Sequence, residues 1–543
     1  MRDGVQLAAD LYLPPGDGPF PVLLQLTPYD RSRIQRQALP YAEHGYAVVA
    51  VNSRGIYGSD GTWSPYVNEA RDGYDAQKWV AEQAWCNGNI GMFGTSYPGF
   101  TQLLPAPMRH PAVKALVPVA AQSDNYGSIW STNGLYHLAL GLTWGTNQEA
   151  IASGRVRPEV NWMDVFTHLP LKTALSSYGL ISPFVEDTLA HGAYDEFWRR
   201  MSVRQKYPEM DVPALHITGW YDDLVHETVY NFVQMRKHSR SENARRGQRL
   251  LIGPWGHGIR PRAQYGDAEF GSAVELDSQQ LHLRWFEHYL KGVQNGLDSE
   301  APVRIFVMGE NVWRAEQEWP LSRARPTRLY LRSGGSANTR FGDGSLVSGP
   351  PGSEEADRYR YDPLNPTPTY GGSGCCGGGT TPHGPLDQRV NQSRQDGLVY
   401  TTEPLSDHME VTGAIEFALY FSTDVQDTDF FATISDVYPD GKAVLVAEGM
   451  LRARFRESIE EPSLLTPGEI YRVTISFWET SNLFRIGHRI RLHLTSSNFP
   501  RFARNLNSAR PLGEGGASDI RIATQVIYHD SQRPSSLVLP VIP

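Results

Sequence analysis

Gly94-Thr95-Ser96-Tyr97-Pro98-Gly99 is the stretch that decides the fold. It follows a short apolar run, Asn89-Ile90-Gly91-Met92-Phe93-Gly94, and a helix is expected after it. A serine held between small residues at a strand-to-helix turn is the sequence form of a nucleophile elbow, which projects the hydroxyl from the end of a sheet. The spacing departs from plain G-x-S-x-G, because Pro98 takes the second glycine position and Gly99 follows it. Proline fits a first helical turn, where its missing N–H would have had no helical acceptor. Taken alone, the hexapeptide is equally well read as a glycine-rich turn with an incidental serine.

The flanking sequence supports the elbow. Pro21–Leu26, Tyr46–Val51 and Ala115–Ala121 are further short apolar runs. Between them the pattern predicts helices over Arg33–Glu43 and Gly73–Gln83, the second with Ala76, Trp79 and Val80 on one face. Short, fully apolar strands alternating with helices imply a parallel sheet covered on both sides. The alternation stops at about residue 124 and resumes with Ala214–Gly219 and Arg249–Gly253, so residues 124–203 read as a helical insertion.

A serine hydroxyl needs a base to become a nucleophile. The resumed strands supply candidates in the chain order Ser, Asp, His. Ala214–Gly219 runs into Trp220-Tyr221-Asp222-Asp223, and Arg249–Gly253 runs into Pro254-Trp255-Gly256-His257. Both pairs fall at strand C-terminal ends, where open α/β sheets carry their sites. Ser96, Asp222 and His257 are therefore the candidate catalytic triad, with Asp223 left as a rival acid. For the oxyanion hole, the backbone N–H of Tyr97 qualifies by position and the Tyr29 hydroxyl is a side-chain candidate.

Composition narrows the class. At about 100–200 residues per domain, 543 residues predict about three domains. A formal charge of −9 lacks the basic footprint of a nucleic-acid binder. No apolar run approaches the roughly 18 residues of a membrane span. No signal peptide is visible, so the chain reads as cytoplasmic, with a trimmed N-terminus left open. Beyond residue 323 period-two alternation takes over, as in Leu451–Arg456, Tyr471–Phe477 and Arg489–Leu494, with a hairpin turn at Pro439-Asp440-Gly441-Lys442. This predicts a sandwich or jelly roll whose arginine rows form the wet face. Cys375-Cys376 has no C-x-x-C partner pair, so neither a metal site nor a cofactor is expected.

The chain resembles the CocE/NonD hydrolases. The resemblance rests on Pro28-Tyr29-Asp30, Arg54-Gly55 with Ser59 and Gly61, Trp85, Gly91–Tyr97, Gly219–Asp222, Gly253–His257, Val437–Gly441 and Ser496–Pro500. That family includes bacterial cocaine esterase, glutaryl-cephalosporin-type acylases and α-amino-acid ester hydrolases, and is related to X-Pro dipeptidyl-peptidases. It implies an α/β-hydrolase domain (1–123 and 204–322), a helical cap (124–203) and a C-terminal all-β jelly roll of the galactose-binding-like kind (323–543). It also favours Asp222 over Asp223 as the acid and the Tyr29 hydroxyl as the second oxyanion donor. The acids with which α-amino-acid ester hydrolases bind a substrate ammonium are replaced by Leu224 and Val225, and the cap position near Trp130 is not acidic. The expected substrate is a small ester or amide with an apolar or aromatic acyl part, received by cap and loop aromatics such as Tyr126, Trp130 and Trp220. X-Pro dipeptidyl-peptidase or cephalosporin acylase activity is the alternative within the family, and a non-catalytic carbohydrate-binding protein is the alternative outside it. A homodimer is allowed for.

Overall fold

The apolar runs are strands because side chains buried on both faces suit the middle of a parallel sheet. In the computed structural model, which describes residues 1–377 and 379–543, they form one nine-stranded sheet. Its strands are β1 (Ala9–Tyr12), β2 (Phe20–Thr27), β3 (Ala47–Asn52), β4 (Cys86–Thr95), β5 (Val113–Val119), β6 (Ala214–Gly219), β7 (Gln248–Gly253), β8 (Val303–Val307) and β9 (Val312–Glu316). The order is β1-β3-β2-β4-β5-β6-β7-β8-β9. The strands from β3 to β8 are parallel, and β1 and β9 close the edges antiparallel. Helices α1 (Gln35–Glu43), α2 (Glu69–Ala81) and α3 (Tyr97–Leu103) lie in the first half of this region.

Helix α2 starts four residues earlier than its apolar pattern suggests. Its buried stripe is Glu69, Asp72, Gly73, Ala76, Gln77 and Val80, the i, i+3, i+4 spacing of one helical face. Trp79, expected on that face, is instead exposed and packs edge-on against Trp85. Polar residues on the stripe hide its extent from a hydrophobicity reading. The buried Asp72 has its own partner, the guanidinium of Arg54.

The interruption between β5 and β6 is helical. It holds α4 (Leu138–Ser153) and shorter helices at Trp162–Thr167, Ala174–Ser177, Pro183–Ala190 and Glu196–Arg199. A two-residue-per-strand hairpin, Ser131–Thr132 with Leu135–Tyr136, precedes α4. The alternation resumes with α5 (Val225–His238) after β6 and α6 (Ser278–Lys291) before β8.

From Arg325 onward the described residues are β-rich, with thirteen strands hydrogen-bonded into one branched sheet. It has its own apolar cluster, including Phe417, Phe430, Ile434, Leu492 and Leu537. It also adds Phe431, Val444, Met450, Phe499 and Phe502 to the core of the α/β region. The arginine rows therefore do not form a wet face. Arg452 is buried and paired with buried Asp429 through two hydrogen bonds of 2.8 Å. Arg454 pairs with Asp427, and Arg491 is buried against Thr401 and Gln392. The strand run also ends at Arg452, giving way to a short 3-10 helix at Ala453–Phe455. Period-two alternation identifies the second face of a strand, but not whether another layer covers it.

Asp429→Ala leaves the Arg452 guanidinium buried without its counter-charge, which costs about 3–5 kcal/mol. The urea midpoint should fall accordingly, and Asp429→Leu with Arg452→Met should recover part of the loss. An unchanged midpoint for Asp429→Ala would mean that water reaches Arg452.

Candidate functional site

Ser96 stands where β4 turns into α3. Its backbone is at φ 67°, ψ −125°, a conformation uncommon for a residue with a side chain. The neighbouring glycines make the turn sterically feasible. A Cβ on Gly94 would lie 2.5 Å from Pro98 Cβ, and one on Gly99 would lie 2.8 Å from the Val119 carbonyl oxygen. Gly99 thus provides the close helix–strand approach that plain G-x-S-x-G assigns to the preceding position. The Ser96 N–H donates to Val119 O (2.9 Å), and its carbonyl accepts from Gly99 and Phe100 N–H.

Asp222 and His257 sit on adjacent loops after β6 and β7, clasped together by Trp255. The Trp255 ring lies over Gly253, and its carbonyl lies over Gly219; a Cβ on either glycine would come within 2.1 Å or less of these atoms. Trp220 N–H donates to Gly253 O (2.9 Å), and Tyr221 N–H donates to Trp255 O (3.1 Å). This brings His257 Nδ1 to 3.1 Å from Asp222 Oδ1 and 3.6 Å from Asp223 Oδ1. Only the Asp222 contact has hydrogen-bond geometry, and Asp222 is fully buried.

The electrostatics follow the distances. Burial works against the charged form of Asp222, but the charge and hydrogen bond of His257 hold its carboxyl below the usual carboxylate range. Burial pushes Asp223 up, and the Asp222 charge adds to that. For His257, burial disfavours the imidazolium, but the Asp222 charge and hydrogen bond outweigh it and raise the pKa. His257 Nε2 is buried with no hydrogen-bond partner. The loop of His257 reaches the serine turn, since a Cβ on Gly258 would be 3.5 Å from Thr95 Cγ2.

Tyr29 lies just beyond β2. Its hydroxyl accepts from the Trp144 indole N–H at 3.3 Å and faces Cys376 and Ser96. Burial pushes the phenol well above its ordinary pKa, so it remains a hydrogen-bond donor. Tyr97 is fixed differently. Its hydroxyl donates to the buried Glu69 carboxylate and accepts from Tyr66 N–H at 2.8 Å. Burial pushes the Glu69 carboxyl up to about 7.

Tyr66 stacks on Tyr97 (4.2 Å between centroids), and Trp144 stacks on both. Trp130 is fully buried behind Trp144. Tyr126 packs on Tyr194 and Trp198, with its hydroxyl donating to Gly192 O. Trp220 packs on Trp319 and donates to Phe306 O. The last two are thus engaged in core contacts, as is Tyr66, which is buried among Tyr97, Phe100, Trp144 and Phe184; Trp144 is the ring that meets the Tyr29 hydroxyl. Glu69 and Tyr66 escaped the sequence reading; the one available signal was the spacing of Glu69 and Asp72 ahead of Ala76 on α2. A cavity of about 770 Å³ between the helical insertion and the β-rich region is lined by residues such as Leu138, Phe166, Arg452 and Leu512. Ser96, Asp222 and His257 are not among its walls.

The β-rich region also reaches this site. Cys375 and Cys376, on the loop that begins at Gly371, lie with His257 in a group whose donor atoms are all within 4.8 Å of one another; His257 forms a second such group with Asp222 and Asp223.

Comparison with known proteins agrees with this architecture. Residues 3–259 match the family model for X-Pro dipeptidyl-peptidase (S15 family), and residues 295–538 match that for the X-Pro dipeptidyl-peptidase C-terminal non-catalytic domain. The cocaine esterase of Rhodococcus sp. (strain MB1 Bresler) is 36% identical over 570 aligned residues, covering 100% of this chain and 97% of that protein. Among solved structures, an aminopeptidase from a marine sediment archaeon, Thaumarchaeota archaeon, superposes with a TM-score of 0.86 at 26% identity, covering 100% of this chain and 95% of its own. An α-amino acid ester hydrolase superposes with a TM-score of 0.84 at 25% identity and the same coverage. Among the described residues, no helix is long and apolar enough to cross a membrane.

Asp222→Asn removes the charge that raises the His257 pKa. The imidazole should then titrate at lower pH, read from its ring-proton resonances. If the titration does not move, another group, Asp223 first among them, holds the imidazolium.

Proposed function

The chain belongs to the CocE/NonD family of serine hydrolases, and we propose that it cleaves carboxylic esters through an acyl-enzyme formed on Ser96. The observations that carry this reading are the strained Ser96 backbone and the Asp222–His257 hydrogen bond, with the His257 loop reaching the serine turn at Thr95. In the reaction, Ser96 Oγ attacks the substrate carbonyl carbon and His257 Nε2 takes the hydroxyl proton. Asp222 keeps the Nδ1–H tautomer and stabilises the imidazolium. The carbonyl oxygen, now an oxyanion, accepts from Tyr97 N–H and the Tyr29 hydroxyl. His257 returns the proton to the leaving alcohol. Water, deprotonated by the same imidazole, then releases the acid and restores Ser96.

The Glu69–Tyr97–Tyr66 hydrogen bonds position the first turn of α3 and with it the Tyr97 N–H. Trp144, half-buried at the Tyr29 hydroxyl, offers an aromatic surface to the acyl part. Leu224 and Val225, both fully buried, leave no carboxylate for a substrate ammonium where α-amino-acid ester hydrolases have one. The catalytic part is read as an α/β-hydrolase domain over residues 1–123 and 204–322, the insertion 124–203 as its cap, and residues 323–543 as a jelly roll.

A fluorophosphonate should label Ser96 of the folded chain, and Ser96→Ala should lose both the adduct and ester turnover. An adduct elsewhere, or turnover retained by Ser96→Ala, overturns the assignment. Across p-nitrophenyl esters, aromatic and medium-length acyl groups should be preferred over acetate, and X-Pro anilides should be poor substrates.

Tyr29→Phe keeps the ring but removes one oxyanion donor, so kcat should fall on the order of 10²-fold with KM little changed. An unchanged kcat would place the second donor elsewhere.

A further inference from the structure

One part of the site has no role in ester cleavage as derived above. Cys375 and Cys376 come from the β-rich region, far from His257 in sequence, yet both sulfurs and a ring nitrogen of His257 lie within 4.8 Å of one another. Cys375 is buried, and Cys376 is exposed. The placement is built in by hydrogen bonds. Gly374 N–H donates to Tyr221 O (3.3 Å), next to Asp222, and Ser373 N–H donates to Glu448 (3.0 Å), which is itself paired with buried Arg501. The Cys376 carbonyl accepts from Thr143 on α4 (3.2 Å). Cys376 has φ 59°, a left-handed conformation that non-glycine residues rarely adopt without support from their surroundings.

These donors are chemically matched. Two soft thiolates with a borderline imidazole favour zinc-class cations over magnesium or calcium. Zinc bonds of about 2.3 Å to sulfur and about 2.0 Å to nitrogen require only small side-chain rotations from a set this compact. His257 Nδ1 is held by Asp222, whereas Nε2 is buried with no partner. A carboxylate on Nδ1–H is the arrangement that orients a ligating imidazole and raises its basicity. The exposed side of Cys376 gives an ion a way in.

We propose that His257, Cys375 and Cys376 form a binding site for a thiophilic divalent cation, and that its occupation switches the hydrolase off by occupying the imidazole that Ser96 needs. Both thiols lose their protons to solvent on binding, and removing the ion returns them. The inhibitory half of the proposal rests on His257 being the base for Ser96. The binding half does not.

The test uses the intact chain and cadmium as the probe. Expected are one cadmium per chain, an ultraviolet thiolate-to-cadmium charge-transfer band, and ester turnover that falls in step with the band and returns with a chelator. Cys376→Ser should weaken the band, and Cys375→Ser with Cys376→Ser should lose it. Each should also need at least about 10-fold more cadmium for half-inhibition, measured against its own cadmium-free rate. Circular dichroism checks that the variants are folded, and Cys376→Ser, altering an exposed side chain, keeps the test open if the double variant does not fold. Ser96→Ala should bind cadmium with the same band, so a failure of the serine assignment is distinguishable from a failure of the metal site. The proposal is overturned if cadmium binds without a thiolate band, if the serine variants are inhibited as strongly as the parent, or if turnover is unaffected at full occupancy.

Discussion

The backbone of Ser96 is the constraint on which the site depends. A non-glycine residue at positive φ costs about 1–3 kcal/mol and persists only where its surroundings over-determine it. Here β5 receives the Ser96 N–H through the Val119 carbonyl, α3 receives the Ser96 carbonyl, and Gly94 and Gly99 leave no room for a Cβ. The strand and helix can approach this closely only because both positions are glycine.

The other parts are held to the serine by interlocking rather than by strain. Trp255 spans Gly219 and Gly253 and sets the Asp222 loop against the His257 loop. Tyr97, the residue after Ser96, is tied by its hydroxyl to Glu69 and Tyr66, which holds the first turn of α3 in place. The helical insertion adds Trp144, whose indole N–H occupies a lone pair of the Tyr29 hydroxyl and leaves its O–H to donate elsewhere. These contacts join segments distant in sequence through groups of modest size.

The parallel strands were legible because burial on both faces leaves unbroken apolar runs such as Val22–Leu26 and Val48–Val51. The start of α2 was not, because Glu69 and Asp72 carry its buried stripe as hydrogen-bonded polar groups. The arginine rows were misleading for a related reason. Alternation separates the two faces of a strand but does not show that both are buried. Arg452 and Arg491 find their hydrogen-bond partners there on neighbouring strands and loops, Asp429 for the one and the uncharged Thr401 and Gln392 for the other, which no local pattern announces. Among the aromatics, composition could not separate Trp144, which meets the Tyr29 hydroxyl, from Tyr126 and Trp220 in core contacts.

The sequence by itself determined the serine turn, the order Ser96, Asp222, His257, and the change from α/β to β texture near residue 323. Each is written in residues adjacent along the chain, where spacing and local sterics are sufficient. Tertiary structure decided which neighbours those residues have. It set Asp222 nearer to His257 than Asp223 by 3.1 against 3.6 Å, buried the arginine face, and carried Cys375 and Cys376 from the β-rich region to the imidazole. Those outcomes depend on how separate layers meet, and contact between layers leaves no period in the sequence.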